Sequence, residues 1–416
     1  FNMQPGDLVP LATIGTVMPN GMEIARRKMA GVWSNGMLCS ARELGLGDDH
    51  GGILVLPEHL SPGTPFAEAM GIEPDVLWDL EINPNRPDAM SIAGVARDLA
   101  ARLGLPFALP EPTPRIVPAD AIDRVTVEIV DPDRCGAFEA RVLHGITVGA
   151  GDPKLASRLA LLGMRSINNV VDVSNYVMLE LGQPNHAYDL AKVAGPGFRV
   201  RRARDGERLV TLDEVERTLT TEDLLICDAE DVPVGLAGIM GGGNSEIDEG
   251  TTDVLLEMAW FEPIGIVRSS RRHKLRSEAS ARFEKGTDPE VIDLAMRRFA
   301  ELLGADLEDG LVRAEGDLPV RPAVRVRTAR VAKLLGTDLG QARIREVLEP
   351  IGFATTPAGE DLDVTIPSFR YDAATEIDVI EEIARHHGYS RLGKTVPRSP
   401  IAGSLTPRQL DRRRLR

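Results

Sequence analysis

Asp372, Asp378, Glu381 and Glu382 bring four carboxylates into a short stretch near the end of the chain. The last three are spaced i, i+3 and i+4, which places them on one face of a helix. Carboxylates so crowded repel one another unless a cation lies among them, and hard oxygen donors suit Mg²⁺. The alternative is an acidic surface at a helix N-terminus, where the dipole tolerates negative charge. His186, in Gly182-Gln183-Pro184-Asn185-His186-Ala187, has the neighbours of a loop residue, either able to reach a ligand or merely exposed. Before it, Ser174-Asn175 offers a hydroxyl and an amide that could hold a ribose hydroxyl. Ala237-Gly238-Ile239-Met240-Gly241-Gly242-Gly243 lets a backbone turn sharply and approach a ligand, but no Gly-Lys-Ser/Thr follows and no dinucleotide fingerprint is present. Glu257 interrupts the apolar run Val254-Leu255-Leu256-Glu257-Met258-Ala259, so the period of two sends it either to solvent or into a pocket. No Ser-His-Asp order, Cys-His order or HExxH motif stands out.

The elements that must position these groups can be read from turn and capping signals. Residues 1–73 hold short β-type runs such as Leu8–Ile14 and Gly51–Leu56, punctuated by Pro19-Asn20-Gly21, the pattern of a small β-barrel. Too few strands precede residue 56 to close it. Residues 74–117 carry the turn cluster Asn83-Pro84-Asn85-Arg86-Pro87-Asp88 and a helix from about Ser91 to Arg102. That helix has Ile92, Val95, Leu99 and Leu103 on one face, and a Pro-rich linker follows. Residues 118–317 form the largest unit, α+β, with Asp152-Pro153 and Asp288-Pro289 as helix starts. Residues 318–392 read as two helices near 328–335 and 340–349, a hairpin, and a helix from about Thr375 to His387, a winged-helix-like module. Residues 393–416 read as a tether.

Composition narrows the function classes. Hydrophobic residues make up 43% and charged residues 27%, an ordinary globular balance, and length suggests about three domains. No apolar run is long enough to span a bilayer and no signal peptide is legible at the start. Cys39, Cys135 and Cys227 lie far apart, which fits buried reduced thiols rather than a zinc site or disulfide framework. With 48 basic and 63 acidic residues the net charge is −15, so phosphate would repel the chain as a whole. Any RNA contact must use local patches: Arg268, Arg271, Arg272, Lys274 and Arg276, or the tail Arg412-Arg413-Arg414-Leu415-Arg416. The first could as well be a solvated face, and the tail reads rather as a frayed terminus.

Several of these stretches share an identity. Asn83–Asp88, Asn169–Val177, Gly182–Ala187, Ala237–Gly242, Arg282-Phe283-Glu284-Lys285-Gly286 and Pro367-Ser368-Phe369-Arg370-Tyr371-Asp372 resemble, in order, the bacterial phenylalanyl-tRNA synthetase beta subunit. The resemblance covers nearly the whole chain. It implies a multidomain α+β protein: a partial OB-fold tRNA-binding barrel, part of an N-terminal α/β domain, an editing domain and a winged-helix-like domain. An N-terminal segment, a synthetase-like core and an anticodon-binding domain would lie outside this sequence. It further implies a cytoplasmic ligase subunit, working as a tetramer of two alpha and two beta chains on tRNA(Phe). The alpha subunit would hold the ATP-dependent charging site, so ATP would not bind productively to this chain. Its own chemistry would be hydrolysis of mischarged Tyr-tRNA(Phe). By the resemblance, His186 and Asn175 lie near the ester, Ser174, Ala237, Gly238, Glu257, Ser277 and Ala279 belong to the editing pocket, and Glu257 accepts from the tyrosine phenol. Ser174 and Ser277 stand where threonine is common in the family, a departure that touches shape more than chemistry. Asp372, Asp378, Glu381 and Glu382 would hold a structural Mg²⁺ at the alpha-subunit interface.

Overall fold

The computed structural model describes residues 2–46, 50–57, 59–72, 76–393 and 403–415. The boundary placed between residues 73 and 74, the start of the tether and Arg416 of the basic tail lie outside the described residues. The chain divides into two compact units, Phe1–Val320 with Ser368–Asp372, and Arg321–Pro367 with Ala373–Arg416. Among the described residues, no helix is long and apolar enough to cross a membrane.

The first unit is organised by the strand Val254–Phe261, every residue of which is buried. It lies inside a mainly antiparallel sheet, between Cys135–His144 on one side and Asn185–Asp189 on the other. Alternation along these strands feeds two separate cores. Leu255, Ala259 and Phe261, with Phe138, Ala140 and Val142 of the neighbouring strand, face one core and pack against a second, five-stranded sheet. Val254, Leu256, Met258 and Trp260 face the other, against the helices Pro153–Leu161, Asn169–Leu181 and Ile292–Leu303. Such a strand has no solvent face, so period two cannot send any of its residues to water.

Caps behave largely as the sequence predicts. Asp152 accepts from the Lys154 and Leu155 amides ahead of Pro153, and Ser91 caps Ile92–Leu103, which Gly104 ends at φ +67°. Asp288 differs: it closes a turn through the Glu290 amide, and the helix starts only at Ile292. The apolar stripe of Ile92–Leu103 is a second correction. Ile92, Leu99 and Leu103 are exposed, and the packed side is Gly94 and Ala100. A side chain at Gly94 would collide with the Asp88 carbonyl, so the small-residue side sets the contact. Near the N-terminus the described strands form two antiparallel pairs, Leu11–Thr13 with Gly36–Leu38 and Arg27–Met29 with Val32–Ser34. Gly51–Leu56 contributes only a bridge from Leu56 to Leu8 rather than a strand. All three cysteines are free and buried.

The second unit packs a three-stranded sheet, ordered Val324–Val326, Asp361–Thr365, Ala354–Ala358, with helices Thr328–Leu335, Gln341–Leu348 and Glu376–His387. Its core is aliphatic, including Val326, Val331, Ile344, Leu348, Leu362 and Val379, with Phe353 as the large ring. The stretch read as a tether contains a helix, Pro407–Arg414, started by a Thr406–Gln409 capping box.

Candidate active site

The sequence Gly182-Gln183-Pro184 works first as a joint. Gly182 ends the helix Asn169–Leu181 in the left-handed region, at φ +78°. Gln183, fully buried, then donates from Nε2 to the Ala259 carbonyl at 3.0 Å, tying the incoming chain to the central strand. His186 therefore enters a strand, not a loop as its neighbours suggested, and its register is fixed opposite Glu257. Residues directly opposite share a face, so imidazole and carboxyl point into the same core. Tyr188, two residues on, joins them.

Between the two sheets these side chains line a pocket. Tyr188, Phe261, Phe283, Ile226 and Leu236 give it apolar and aromatic walls, while Asn185, His186 and Glu257 supply polar groups. Phe261 and Phe283 meet edge to face, with centroids 5.0 Å apart. Gly238, at φ +69°, lies against both: an added Cβ would come within 3.0 Å of Phe261 and 3.1 Å of Phe283. Gly241 gives His186 its room, since an added Cβ would sit 2.5 Å from Nε2.

Electrostatics follow from enclosure. Glu257 is only 5% exposed, and among the described residues nothing hydrogen-bonds its carboxyl. Burial raises its pKa from the ordinary carboxylic range to about 8. His186 is pushed the other way, down to about 4, also by burial, and its Nε2 is shut from solvent without a partner. At neutral pH the pocket thus presents a neutral acid and a neutral imidazole. Two unsatisfied polar groups in an aromatic cleft cost free energy unless a ligand pairs with them.

Of the residues singled out from sequence, His186, Gly238, Glu257 and Ala279 line the pocket. Ala237 lies behind it, buried, on a separate small cavity. Ser277 acts at one remove: its hydroxyl donates to the Ile239 carbonyl at 2.7 Å while accepting from the Ser280 amide, so it anchors the glycine loop. Ser174, on the helix Asn169–Leu181, donates to the Asn185 carbonyl at 3.5 Å, and half-buried Asn175 is not among the lining residues. Sequence reasoning missed Tyr188, Phe261 and Phe283. The first two were legible in principle, because they follow His186 by two and Glu257 by four on the same strand faces.

The four acidic residues divide between the units. In the first, Asp372 pairs with Arg370 at 2.8 Å and accepts from Asn85 at 3.2 Å. In the second, Asp378 accepts from Ala374 and from the Thr375 amide and hydroxyl, a capping box. Glu382 is buried against Arg385 at 2.6 Å, whereas Glu381 is exposed. The shared helical face expected from spacing thus splits into a cap, an ion pair and a solvated group. Among the described residues no group of three or more His, Cys, Asp or Glu side chains is placed to hold a metal ion. As arranged, these carboxylates do not fit Mg²⁺.

Comparison with known proteins gives the geometry a lineage. Residues 134–305, which contain every residue that lines the pocket, match the B3/4 domain, and residues 324–389 match the tRNA synthetase B5 domain. The phenylalanine–tRNA ligase beta subunit of Anaeromyxobacter dehalogenans is 47% identical over 401 residues, 95% of this chain and 50% of that one. Those of Nitratidesulfovibrio vulgaris and Syntrophus aciditrophicus are 45% and 41% identical, over 95% and 100% of this chain and 50% and 52% of theirs. The chain spans about half the length of the curated relatives it matches. A solved N-terminal fragment of the phenylalanyl-tRNA synthetase beta subunit from Pyrococcus horikoshii overlaps 74% of this chain and 85% of that one, at 17% identity and a TM-score of 0.41, too distant to support any inference. On the strength of the long curated matches, the chain belongs to the phenylalanine–tRNA ligase beta-subunit family.

Proposed function

We propose that this chain serves phenylalanine–tRNA ligase as its editing and tRNA-binding part, hydrolysing the ester of Tyr-tRNA(Phe). The observation that carries the reading is a partnerless, protonated Glu257 inside an aromatic pocket. Tyrosine differs from phenylalanine by one hydroxyl, which an apolar synthetic site rejects weakly, whereas a second pocket built to bond that hydroxyl inverts the preference. Glu257 accepts from the phenol through its carboxyl oxygen, and a phenylalanine ring leaves the group unpaired. Neutral His186 accepts from a water aimed at the ester carbonyl. Attack forms the bond from water oxygen to carbonyl carbon, the ester C–O bond breaks, and the ribose hydroxyl leaves with a proton. With a pKa near 4, His186 orients water better than it removes a proton.

In this reading the N-terminal β pairs belong to an OB-type tRNA-binding barrel, and the second unit is a winged-helix-like module. ATP-dependent charging falls to an alpha subunit, in a cytoplasmic assembly of two alpha and two beta chains. Ester hydrolysis itself consumes water and needs no ATP. An ion on Asp378, Glu381 and Glu382 at the alpha-subunit interface would first have to displace Arg385 from Glu382 and Thr375 from Asp378.

The test is deacylation of preformed Tyr-tRNA(Phe) by the chain and by its Gly241→Ala variant. Gly241 lies outside the left-handed region, so alanine is tolerated by the backbone and acts chiefly by pressing on His186, with the end of Leu212 next nearest at 3.3 Å. Hydrolysis should fall at least about tenfold with a stability loss of about 1–3 kcal/mol. Unchanged hydrolysis in that variant would remove His186 from the mechanism.

Charge on the segment that leads into the Ser277 anchor gives a second expectation. Arg272 pairs with buried Asp223, and Arg276 lies 3.4 Å from Glu284, but exposed Arg271 and Lys274 make no ion pair among the described residues. The loop they flank is fixed by Ser270, whose hydroxyl donates to the Leu275 carbonyl at 2.7 Å, and it runs into the Ser277 anchor. Phosphates of the acceptor end would meet these cations. Reversing both charges, Arg271→Glu with Lys274→Glu, should raise KM for Tyr-tRNA(Phe) about tenfold and flatten its salt dependence. The kcat on a tyrosyl-adenosine ester should stay the same. Equal losses on both substrates would mean these cations are structural.

A further inference from the structure

A third group in the pocket has no assigned work. Tyr188 is 1% exposed, yet among the described residues its hydroxyl makes no hydrogen bond, and the residue lines the pocket. Its ring is locked from several sides. It meets His186 edge to face, at 4.4 Å and 82°, and packs on Phe198 at 4.9 Å. Opposite its hydroxyl stands Gly235, where an added Cβ would come within 3.3 Å of the oxygen, so the strand there leaves the phenol space. The strand register places Tyr188 against Leu255, diagonal to Glu257 and on the same face. A buried phenol is nearly always hydrogen-bonded. One left free beside a free carboxyl, in a cleft open to a ligand, points to a ligand that satisfies both.

We infer that Tyr188 is a specificity-determining residue, whose hydroxyl donates to the oxygen of a ring hydroxyl on the bound aminoacyl group. This rests on the editing reading above and deepens it. A phenol offers one donor and an oxygen acceptor. Glu257 takes the donor through its carboxyl oxygen, and Tyr188 supplies the acceptor with its partner. Burial and the neighbouring Glu257 both raise the Tyr188 pKa well above its ordinary value, so it stays a donor across the working pH range. The pocket then reads both hydrogen-bonding functions of the ring hydroxyl. An aromatic ring lacking it leaves two protein groups unpaired instead of one.

Tyr188→Phe keeps the ring packing and removes only the oxygen. Its kcat/KM for Tyr-tRNA(Phe) should fall about fivefold to tenfold, the size of one hydrogen bond. Hydrolysis of Phe-tRNA(Phe), which has no ring hydroxyl to bond, should move less than about twofold. In combination with Glu257→Ala, which removes the acceptor, the losses should be non-additive, because both groups hold the same oxygen. Binding of the non-hydrolysable 3′-tyrosylamino-3′-deoxyadenosine should weaken in parallel, against an unchanged 3′-phenylalanylamino analogue. A wild-type chain that hydrolyses Tyr-tRNA(Phe) selectively, with Tyr188→Phe equally selective, would reduce Tyr188 to a wall and overturn this inference alone. A folded wild-type chain without selective hydrolysis would overturn the editing reading beneath it.

Discussion

Glu257→Gln should make the chain more stable at pH 9 while leaving its stability at pH 5 nearly unchanged. The sign follows from linkage. A carboxyl whose folded pKa is about 8, raised from 4.5 by burial, binds its proton more tightly in the folded state. Its contribution is complete below the unfolded pKa, declines as pH rises, and is lost once pH passes the folded value. A shift of this size corresponds to roughly 4–5 kcal/mol as an upper bound. Glutamine does not titrate, so the variant escapes that decline. Urea denaturation at pH 5, 7 and 9, followed through Trp260, buried in the same strand, would show it. The wild-type chain should lose stability across this range relative to the variant, and the gap should close at pH 5. A constant difference at all three values would mean Glu257 is ionised and paired in the folded chain. Glutamine keeps a carbonyl acceptor, so this substitution should spare much of the discrimination between tyrosyl and phenylalanyl esters that Glu257→Ala removes.

The second large effect lies away from the pocket. Glu308, 1% exposed, accepts from the amides of Asp120 at 3.2 Å, Ala121 at 2.9 Å and Ile122 at 2.7 Å, and also pairs with His144, which in turn pairs with Asp253. Glu308→Ala strands these amides and one buried side of the imidazole. Each unpaired buried group costs about 1–3 kcal/mol, and shared relaxation brings the total to about 3–5 kcal/mol. The effect should depend on pH from both sides. Burial alone would lower the His144 pKa, but Glu308 and Asp253 outweigh it and raise it. Its share is therefore present below its unfolded pKa and lost as pH rises through the folded one. Burial alone would raise Glu308, but the His144 bond and the three amides outweigh it and lower it. Its share is therefore lost as pH falls through its folded pKa. Denaturation of Glu308→Ala and Glu308→Gln across pH 4 to 8 should show the largest deficit in mildly acidic solution, with glutamine recovering part of it. A loss under about 1 kcal/mol would mean the three amides find other partners.

Much of this architecture was legible because it is local. Asp152-Pro153, Ser91 with Gly104, and Thr375 with Asp378 carry their reason for starting or stopping a helix within a few residues. The helices of the second unit follow from the same local signals, to within a residue or two. What failed was long-range. Whether His186 lay in a loop depended on Gln183 reaching Ala259, a contact across 76 residues that no window on the sequence contains. Glu257 read as ambiguous because alternation cannot distinguish a strand with one wet face from a strand with none. The acidic quartet was legible only as spacing. Spacing put three carboxylates on one helical face, whereas in the folded chain Glu382 pairs with Arg385 and Asp378 accepts from Thr375. The pocket itself was half visible: His186 and Glu257 through family resemblance, Asn185 and the aromatic walls only once register was known.

The most direct test of the account is the ratio of kcat/KM for deacylation of Tyr-tRNA(Phe) over Phe-tRNA(Phe), measured for this chain and for Glu257→Ala. A ratio of at least about 100 that collapses toward one in the variant is the predicted result. A ratio near one in the wild-type chain, or one that survives loss of the carboxyl, would contradict it.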